Sequence, residues 1–435
     1  MTDMPRPAPA PVSLARIAGG SAAFLMAGKA LTLGTVMLLS AVLPIAAFGE
    51  FMYARGIVLF CGPFMALGLS VTAMQRIPAY LEAGDPARAL AFRRTLTWTV
   101  TAMAVATALV LAVGAPAVLP PLRASVLIVA LAGLPGFAML MAHMQAARAA
   151  GRVRLAYAAP SLGQQLFLAI VGLGAILLVG VEDPRAVAAI FAASMLTAAA
   201  WQWIGIARMH EYRDARTDAD LGPDRRTWLA QALPLTLSLA AQGVTASGPL
   251  LILGLHADGA ALGVFGFYQS AMQGLLIFNT SIFGAANPRL SRRLAAEPRD
   301  RASVRGLLRR SRGMATAISL AGAVAGMALI LGPGTLVQPA FGAAPLALGL
   351  LLASVAVNAT AGPLGHVLII EGRRDWEIWT QLACAALTVG LSLWLIPQAG
   401  PLGGLTGAAL ATFAAALLRA VSTHALVFGP LGYRL

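Results

Sequence analysis

The first apolar stretch of the sequence contains Lys29, which is the only lysine among the 435 residues. In a helix over residues 16–44 its ammonium group would lie about 13 residues from either end, roughly 20 Å from water along the axis. A lysine near a helix end can extend its side chain to the membrane surface, but this distance is too long for that. Because an isolated charge in a bilayer is costly, we expect Lys29 to face a water-filled cavity and to bind an anion.

The second apolar stretch, residues 52–80, carries further cationic and polar candidates at its two ends. Arg55 lies one turn inside this stretch, where it would either bind the same anion or pair with Glu50. Arg76 and the neighbouring Gln75 lie at the other end, where they would bind a substrate at the mouth of the cavity. The alternative for Arg76 is a cytoplasmic charge that only sets the orientation of the chain in the membrane.

Uncharged polar side chains also fall within the apolar stretches. An amide or imidazole in lipid needs a hydrogen-bond partner, so each of them either joins two helices or lines a hydrated cavity. Neutral amides suit sugar hydroxyls, whereas a diphosphate needs fixed cations. The candidates for a substrate cavity are Gln164, Gln242, Gln273, Asn279, Asn358 and His366.

Acidic residues are scarce in the apolar stretches, and this scarcity argues against several classes of function. Glu50 and Glu371 lie at the ends of stretches and none of the 17 acids lies in the middle of one. A carrier that binds a proton or Na⁺ on an intramembrane carboxylate is therefore disfavoured. The five histidines show no metal-ligand spacing, and no phosphate-binding loop or nucleophile motif is present. We predict no enzymatic activity, no cofactor and no metal site.

The candidate residues require helices that are long enough to cross a bilayer. Hydrophobic residues make up 59% of the chain and charged residues 11%, with a mean hydropathy of +0.79, which is typical of a polytopic membrane protein. The apolar runs are longer than the alternating strands of a barrel, so we predict an all-α fold. Twelve transmembrane helices are predicted over residues 16–44, 52–80, 93–115, 122–146, 156–181, 186–208, 228–255, 262–287, 313–335, 344–370, 377–397 and 402–428.

The arginines fall mainly on one side of this arrangement. If the N-terminus is cytoplasmic, nearly all of them are cytoplasmic, and Arg55, Arg123 and Arg185 are those on the outer side. This distribution follows the positive-inside rule and predicts that both termini are cytoplasmic. It also explains the net charge of +14 without nucleic acid, which we exclude as a partner, and it favours contact with anionic membrane lipids.

The sequence contains signs of an internal repeat. Phe48-Gly49 matches Phe265-Gly266 at an offset of 217 residues, and Gly151-Arg152 matches Gly372-Arg373 at an offset of 221. Six spans in each half would give both halves the same orientation, with a central cavity between them. The predicted domains are a cytoplasmic tail (1–15), a six-helix N-lobe (16–208), a cytoplasmic linker (209–227) and a six-helix C-lobe (228–435).

Short motifs in this order resemble the polysaccharide-transporter branch of the MOP flippase superfamily, which includes the Wzx-type oligosaccharide exporters. Leu262 to Ala271 (LGVFGFYQSA) resembles the start of that family's helix 8, and Phe48 to Phe51 resembles its first-half counterpart. Glu371 to Arg374 resembles the turn after helix 10. Ile396-Pro397, followed by Gly404 to Thr412, resembles the junction of helices 11 and 12.

The resemblance implies two lobes that alternate access to a central cavity in the bacterial cytoplasmic membrane. The cargo would be an undecaprenyl-diphosphate-linked oligosaccharide, whose diphosphate would meet Lys29 and Arg55. Candidate partners would be this lipid-linked glycan, membrane lipids and polysaccharide polymerase or glycosyltransferase machinery. At the 217-residue offset the two cations fall on Ala246 and Met272, so the cationic site would be one-sided.

Two other classes of protein stay open as alternatives. One is a coupled small-molecule exporter of the MATE or major-facilitator type. MATE exporters typically carry an acid in helix 1, whereas residues 16–44 contain none, and Glu82 to Arg88 lacks the major-facilitator pattern G-x-x-x-D-R-x-G-R. The other is a membrane enzyme, such as a glycan polymerase or an acyltransferase. It would need a large outer loop or a catalytic acid or histidine motif, and the predicted outer loops are short.

Overall fold

The computed structural model describes residues 14–65, 68–209, 222–295, 301–398 and 400–429. All regular structure in these ranges is helical, which confirms the all-α prediction for them. The predicted tail up to residue 13 and residues 210–221 of the predicted linker lie outside the described ranges.

Helices follow one another along both halves of the chain. The first half contains α1 (Leu14–Val42), α2 (Ile45–Met65), α3 (Leu69–Glu82), α4 (Pro86–Val118), α5 (Pro121–Leu131), α6 (Leu134–Ala149), α7 (Val153–Tyr157), α8 (Gln164–Phe167), α9 (Leu173–Val179) and α10 (Pro184–Ala207). Two π-helical segments, Ala158–Gly163 and Leu168–Gly172, join α7 to α8 and α8 to α9. The second half contains α11 (Gly222–His256), α12 (Gly259–Ala295), α13 (Arg301–Leu331), α14 (Pro333–Val337), α15 (Pro345–Ala361), α16 (Leu364–Ile370), α17 (Arg374–Gln398) and α18 (Gly400–Phe428).

These helices make the chain a multi-pass membrane protein. Within the described ranges, 10 helices are long and apolar enough to cross a membrane. An eleventh span results if α5 and α6, which bend by 43° at their junction, cross together, and α1 contributes a shorter apolar segment over Met26–Val42. The exact number of twelve spans and their division into two lobes stay predictions.

Several helices extend beyond the predicted spans on the arginine-rich side. α4 begins at Pro86 rather than at residue 93, because the Asp85 carboxylate accepts a hydrogen bond from the Arg88 amide and proline fits the first helical position. The ends of α12 and α13 likewise cover most of the predicted 288–312 loop. Hydropathy identifies the part of a helix that lies in lipid, whereas the backbone hydrogen bonds continue into water.

The turns that follow α6 and α16 have the same backbone geometry. Gly151 and Gly372 have φ angles of 76° and 74°. The amide of the next residue, Arg152 or Arg373, donates over 2.8 Å to the carbonyl five residues earlier. This is the helix ending in which a positive φ selects glycine. The sequence match at an offset of 221 residues therefore corresponds to a structural match between the halves.

The two halves approach each other closely where α2 packs against α12. A Cβ atom on Gly49 would overlap the carbonyl oxygen of Gly259, so the backbones touch at a point where any side chain would separate them. The matching glycine of the other half, Gly266, packs against Met52 of α2 in the same interface. The repeated Phe-Gly motif thus lies on both sides of one contact between the halves.

The last residues of the predicted linker belong to a helix. α11 begins at Gly222, and Trp228 near its start is 1% exposed and donates its indole N–H to the Tyr80 hydroxyl over 2.9 Å. Asp224 lies 3.3 Å from the Arg88 guanidinium in an ion pair. The start of α11 is therefore held against α3 and α4 of the first half.

Candidate functional site

Lys29 lies at the junction of two cavities that differ in polarity. The apolar cleft, of about 280 Å³, lies between α1, α12 and α13, and its walls include Leu33, Phe267 and Ile330. The polar cavity, of about 440 Å³, is formed mainly by α11, α12, α15, α17 and α18. Lys29 is exposed and lines both of them. Lys29 therefore contributes to the walls of both the apolar cleft and the polar cavity.

The orientation of Lys29 follows from the packing of α1 against the π-helical segment Ala158–Gly163. A Cβ atom on Gly28 would come within 2.6 Å of Ser161 Cβ, so this contact requires glycine. Successive residues of a helix point about 100° apart, and Lys29 is therefore turned away from the contact. Gly28 thus allows α1 to pack closely against the π-helical segment, while the next residue, Lys29, faces the cavities.

The polar cavity contains three of the amides that the sequence predicts for a substrate site, Gln242, Gln273 and Asn358. Such amides and hydroxyls donate and accept hydrogen bonds, as a saccharide requires. Four hydroxyl groups of the same cavity could not be predicted, because hydroxyls in membrane helices commonly bond to their own backbone and carry no distinguishing pattern. They belong to Thr245, Thr280, Ser354 and Thr412, and the side chains of Gln381 and Arg419 also line the cavity.

Arg55 has no carboxylate partner within the described ranges. The alternative that pairs it with Glu50 is wrong, because Arg123 of α5 binds both oxygens of that carboxylate at 2.8 and 2.9 Å. The positive charge of Arg55 repels that of Lys29. Among the described residues, neither cation makes a hydrogen bond or an ion pair. Two like charges in this position would be stabilised by an anionic ligand.

The internal repeat reappears in the walls of the polar cavity. Ala246 and Met272, which correspond to Lys29 and Arg55 at the 217-residue offset, both line it. Lys29 and its counterpart Ala246 therefore face a common space, whereas Arg55 does not line it. Arg419 of the second half also lines this cavity, so its cations come from both halves, and the one-sided cationic site stays a prediction.

Arg55 does not line either of these two cavities, and the same is true of three further predicted site residues, Arg76, Gln75 and Gln164. Arg76 donates to the Gln231 side chain over 2.6 Å and so joins α3 to α11. Its neighbour Gln75 is exposed on α3, and Gln164 is buried in α8, which packs against α1. The contact of Arg76 with the second half could not be predicted from the sequence, because it joins positions 155 residues apart.

Asn279 and His366 make hydrogen bonds between helices, which is the alternative that the sequence leaves open for them. Asn279 donates to the Val355 carbonyl over 3.2 Å and accepts from the Ser319 hydroxyl over 2.8 Å, so it joins α12 to α15 and α13. His366 Nε2 lies 3.0 Å from the Ser291 hydroxyl and joins α16 to α12. Both side chains therefore have hydrogen-bond partners within the protein, so neither requires a substrate to satisfy it.

The acids at the ends of the spans are not all solvated. Glu377 of α17 is 8% exposed, accepts from Gln381 Nε2 over 2.8 Å and lies 3.6 Å from the Arg419 guanidinium. The charge distribution assigns Arg419 to the cytoplasmic surface, but it lies inside α18 and lines the polar cavity. Within the described ranges, no group of three or more His, Cys, Asp or Glu residues could hold a metal ion.

A family of known proteins matches this chain in sequence, and solved structures match it in fold. The family described as "Polysaccharide biosynthesis protein" matches residues 20–293. A multidrug resistance MATE family transporter of the MOP superfamily, in an inward-facing conformation, is similar with a TM-score of 0.71 and 14% identity, covering 97% of this chain and 100% of that chain. The lipid II flippase MurJ, in an inward closed conformation, has a TM-score of 0.66 and 10% identity, covering 96% and 89%. A MOP superfamily transporter from Pyrococcus furiosus has a TM-score of 0.57 and 14% identity, covering 95% of each chain. No curated protein sequence matches.

The fold is thus that of the MOP superfamily transporters, and the cavities at Lys29 lie within it. The family match covers more than half of the sequence, and the chain belongs to the polysaccharide biosynthesis protein family. The predicted membership is confirmed at the level of family and fold. Identities of 10 to 14% define the fold alone and do not identify the cargo.

Proposed function

We propose that this protein is a flippase that moves an undecaprenyl-diphosphate-linked oligosaccharide across the bacterial cytoplasmic membrane for the synthesis of a surface polysaccharide. The observation that carries the proposal is the position of Lys29 at the junction of the apolar cleft and the polar cavity. Membership of the polysaccharide biosynthesis family supports it. So does the fold that the chain shares with a lipid II flippase.

The two cavities match the parts of such a lipid. Its polyprenyl chain is apolar, its sugars carry hydroxyls, and its diphosphate joins the two. The apolar cleft would take the hydrocarbon next to the diphosphate, while amides such as Gln273 and Asn358 would bind sugar hydroxyls. Lys29 lies where the diphosphate would be, and a charge-assisted bond to phosphate would offset the cost of holding its charge within the membrane.

We infer that Arg55, which lines neither cavity but whose charge repels that of Lys29, would supply the second charge that a diphosphate needs. It interacts with Lys29, and the carboxylate nearest to it along α2, Glu50, is already bound by Arg123. A ligand anion would therefore meet two cations that no described acid neutralises. In the proposed cycle, this site takes up the cargo on the cytoplasmic side and releases it on the other by alternating access.

The proposal includes the topology predicted from the sequence. Twelve spans would form two six-helix lobes, and both termini and the linker would lie in the cytoplasm, where the arginines are concentrated. The matching turns at Gly151 and Gly372 support a duplication with the two halves in the same orientation.

A coupled small-molecule exporter is the second candidate, and the buried Glu377 favours it. This carboxylate contacts Gln381 and Arg419, two residues that line the polar cavity. A coupled exporter would use such an acid to bind and release a proton or a cation. The same acid also has a structural role in a flippase, because it compensates the charge of Arg419.

The test is to delete this protein from its own cell and to measure lipid-linked glycans in each membrane leaflet. The proposal predicts that undecaprenyl-diphosphate oligosaccharide accumulates in the inner leaflet and that one surface polysaccharide is lost. The intact chain and Lys29→Arg should restore export, whereas Lys29→Ala should not. Unchanged glycans together with a loss of drug or metabolite efflux would contradict the proposal and favour the coupled exporter.

A further inference from the structure

A third cavity, of about 280 Å³, is formed by α4, α6 and α10 and shares no lining residue with the two cavities at Lys29. Adjacent arginines of α4, Arg93 and Arg94, line it. Arg93 donates to the Ile206 carbonyl over 3.2 Å and is thereby fixed at the end of α10. Arg93 and Arg94 also interact with other groups of the protein, and the five N–H donors of a guanidinium allow it to bind several acceptors at once. The cavity therefore has a positioned cation in its wall and a second one beside it.

The wall of this cavity also contains a buried polar pair. His143 is 2% exposed and Thr97 is 7% exposed, and His143 Nε2 lies 3.0 Å from Thr97 Oγ1. The other ring nitrogen, Nδ1, is buried and has no hydrogen-bond partner among the described residues. Thr97 donates its hydroxyl hydrogen to the Arg93 carbonyl over 2.9 Å, so Nε2 donates to Thr97 and Nδ1 is an acceptor. A buried polar atom without a partner is costly, and a ligand hydroxyl or a water molecule that donates to Nδ1 would reduce this cost.

Two tryptophans that line the same cavity are partly exposed on the protein surface. Trp98 is 72% exposed and Trp203 is 44% exposed. Indole rings concentrate at the interface between lipid and water, where the ring lies at the level of the headgroups. The arginines next to them lie on the side that is rich in basic residues, which is the side that faces anionic lipids. The cavity therefore combines cations, a buried polar wall and interfacial aromatic rings.

We propose that this cavity binds the headgroup of an anionic phospholipid of the arginine-rich leaflet, independently of the transported cargo. The lipid phosphate would contact Arg93 and Arg94, and its glycerol and ester region would lie against the two indole rings. A bound lipid would join α4 to α10 beyond the existing bond from Arg93 to Ile206. The protein would then be stabilised by anionic lipid and not by zwitterionic lipid.

The experiment uses the purified full chain in an uncharged detergent, with phosphatidylglycerol or phosphatidylcholine added. Thermal unfolding and native mass spectrometry report stabilisation and the number of retained lipids. We expect phosphatidylglycerol to be retained and to raise the unfolding temperature, and phosphatidylcholine to do neither. Arg94→Gln, at an exposed position, and Arg93→Gln/Arg94→Gln should weaken the phosphatidylglycerol effect by about tenfold, because they remove charge-assisted hydrogen bonds.

The matched control is Arg309→Gln/Arg310→Gln, which removes the same charge from two adjacent exposed arginines, one of which is the repeat counterpart of Arg93. This control should keep the phosphatidylglycerol effect. An equal loss in both double variants would show unspecific charge attraction and would overturn the proposal. Equal stabilisation by inorganic phosphate would also overturn it, because the site would then bind a free anion. Both results are independent of glycan export.

Discussion

Arg123 and Glu50 form a buried bidentate ion pair that joins α5 to α2. Arg123 Nε and Nη2 lie 2.8 and 2.9 Å from the two carboxylate oxygens. The same guanidinium donates to the carbonyls of Gly254 and Ala257 at the end of α11, the latter over 3.2 Å. A cation at the C-terminus of a helix is favoured by the helix dipole. The pair therefore fastens two helices of the first half to one helix of the second.

Breaking this pair should destabilise the protein strongly. Arg123→Gln leaves a buried carboxylate without its partner, which costs about 3–5 kcal/mol of unfolding free energy. Glu50→Gln should cost a similar amount, and the double variant should cost much less than the sum of the two. Unfolding of the three variants in mixed micelles measures this coupling. Strictly additive losses would show that the two side chains do not act as a pair.

Moving the cation of Lys29 to the other half should preserve part of the function. Lys29→Ala is expected to lower glycan export by more than about tenfold, since it removes a charge-assisted contact to phosphate. Because Ala246 lines the same polar cavity, Ala246→Lys in this background should recover part of the export. Export is read from the surface polysaccharide, with membrane insertion checked in parallel. Normal export by Lys29→Ala would remove Lys29 from the site.

Reversing the charge of Arg55 should be worse than removing it. Arg55→Gln is expected to reduce export by about tenfold, because one charge-assisted contact is lost. Arg55→Glu should abolish it, since the new carboxylate would compete with the ligand for Lys29. Competition for a fluorescent diphosphate lipid in detergent would rank the affinities of the three proteins. If Arg55→Glu bound as well as the unchanged chain, Arg55 would have no part in binding the anion.

The close contact of α2 with α12 should tolerate no side chain. Gly49→Ala would push its Cβ into the Gly259 carbonyl and should lower the unfolding temperature or prevent folding. The control is Gly34→Ala, because a Cβ there meets nothing within 4 Å. That change should be neutral or slightly stabilising, since alanine favours a helix by roughly 0.5–1 kcal/mol. Equal behaviour of the two variants would contradict the packing described here.

The order of the helices could be predicted because hydropathy and length depend on local sequence. The ends of the helices could not, since a helix that leaves the membrane keeps its hydrogen bonds, and α4, which Asp85 caps, begins seven residues before the predicted start of the span. Lys29 could be found because a lone charge in an apolar stretch is unusual whatever surrounds it.

Partners that are distant in sequence were beyond prediction. Glu50 has an arginine five residues away, and local spacing gave no reason to choose Arg123, which lies 73 residues further along. The sequence predicts Arg419 to be a cytoplasmic charge, whereas in the structure it forms an ion pair with Glu377 of α17. The polar cavity is assembled from several helices, so its hydroxyl groups cannot be distinguished in sequence from those that bond to their own backbone.

The most direct test of the role of Lys29 is transbilayer movement of a purified undecaprenyl-diphosphate oligosaccharide in liposomes that contain the protein. An external glycosidase reports how much of the glycan has reached the outer leaflet. We predict that the unchanged chain and Lys29→Arg increase this fraction, and that Lys29→Ala, inserted to the same level, leaves it as in liposomes without protein. Movement by Lys29→Ala at the rate of the unchanged chain would contradict the assignment of the diphosphate site to Lys29.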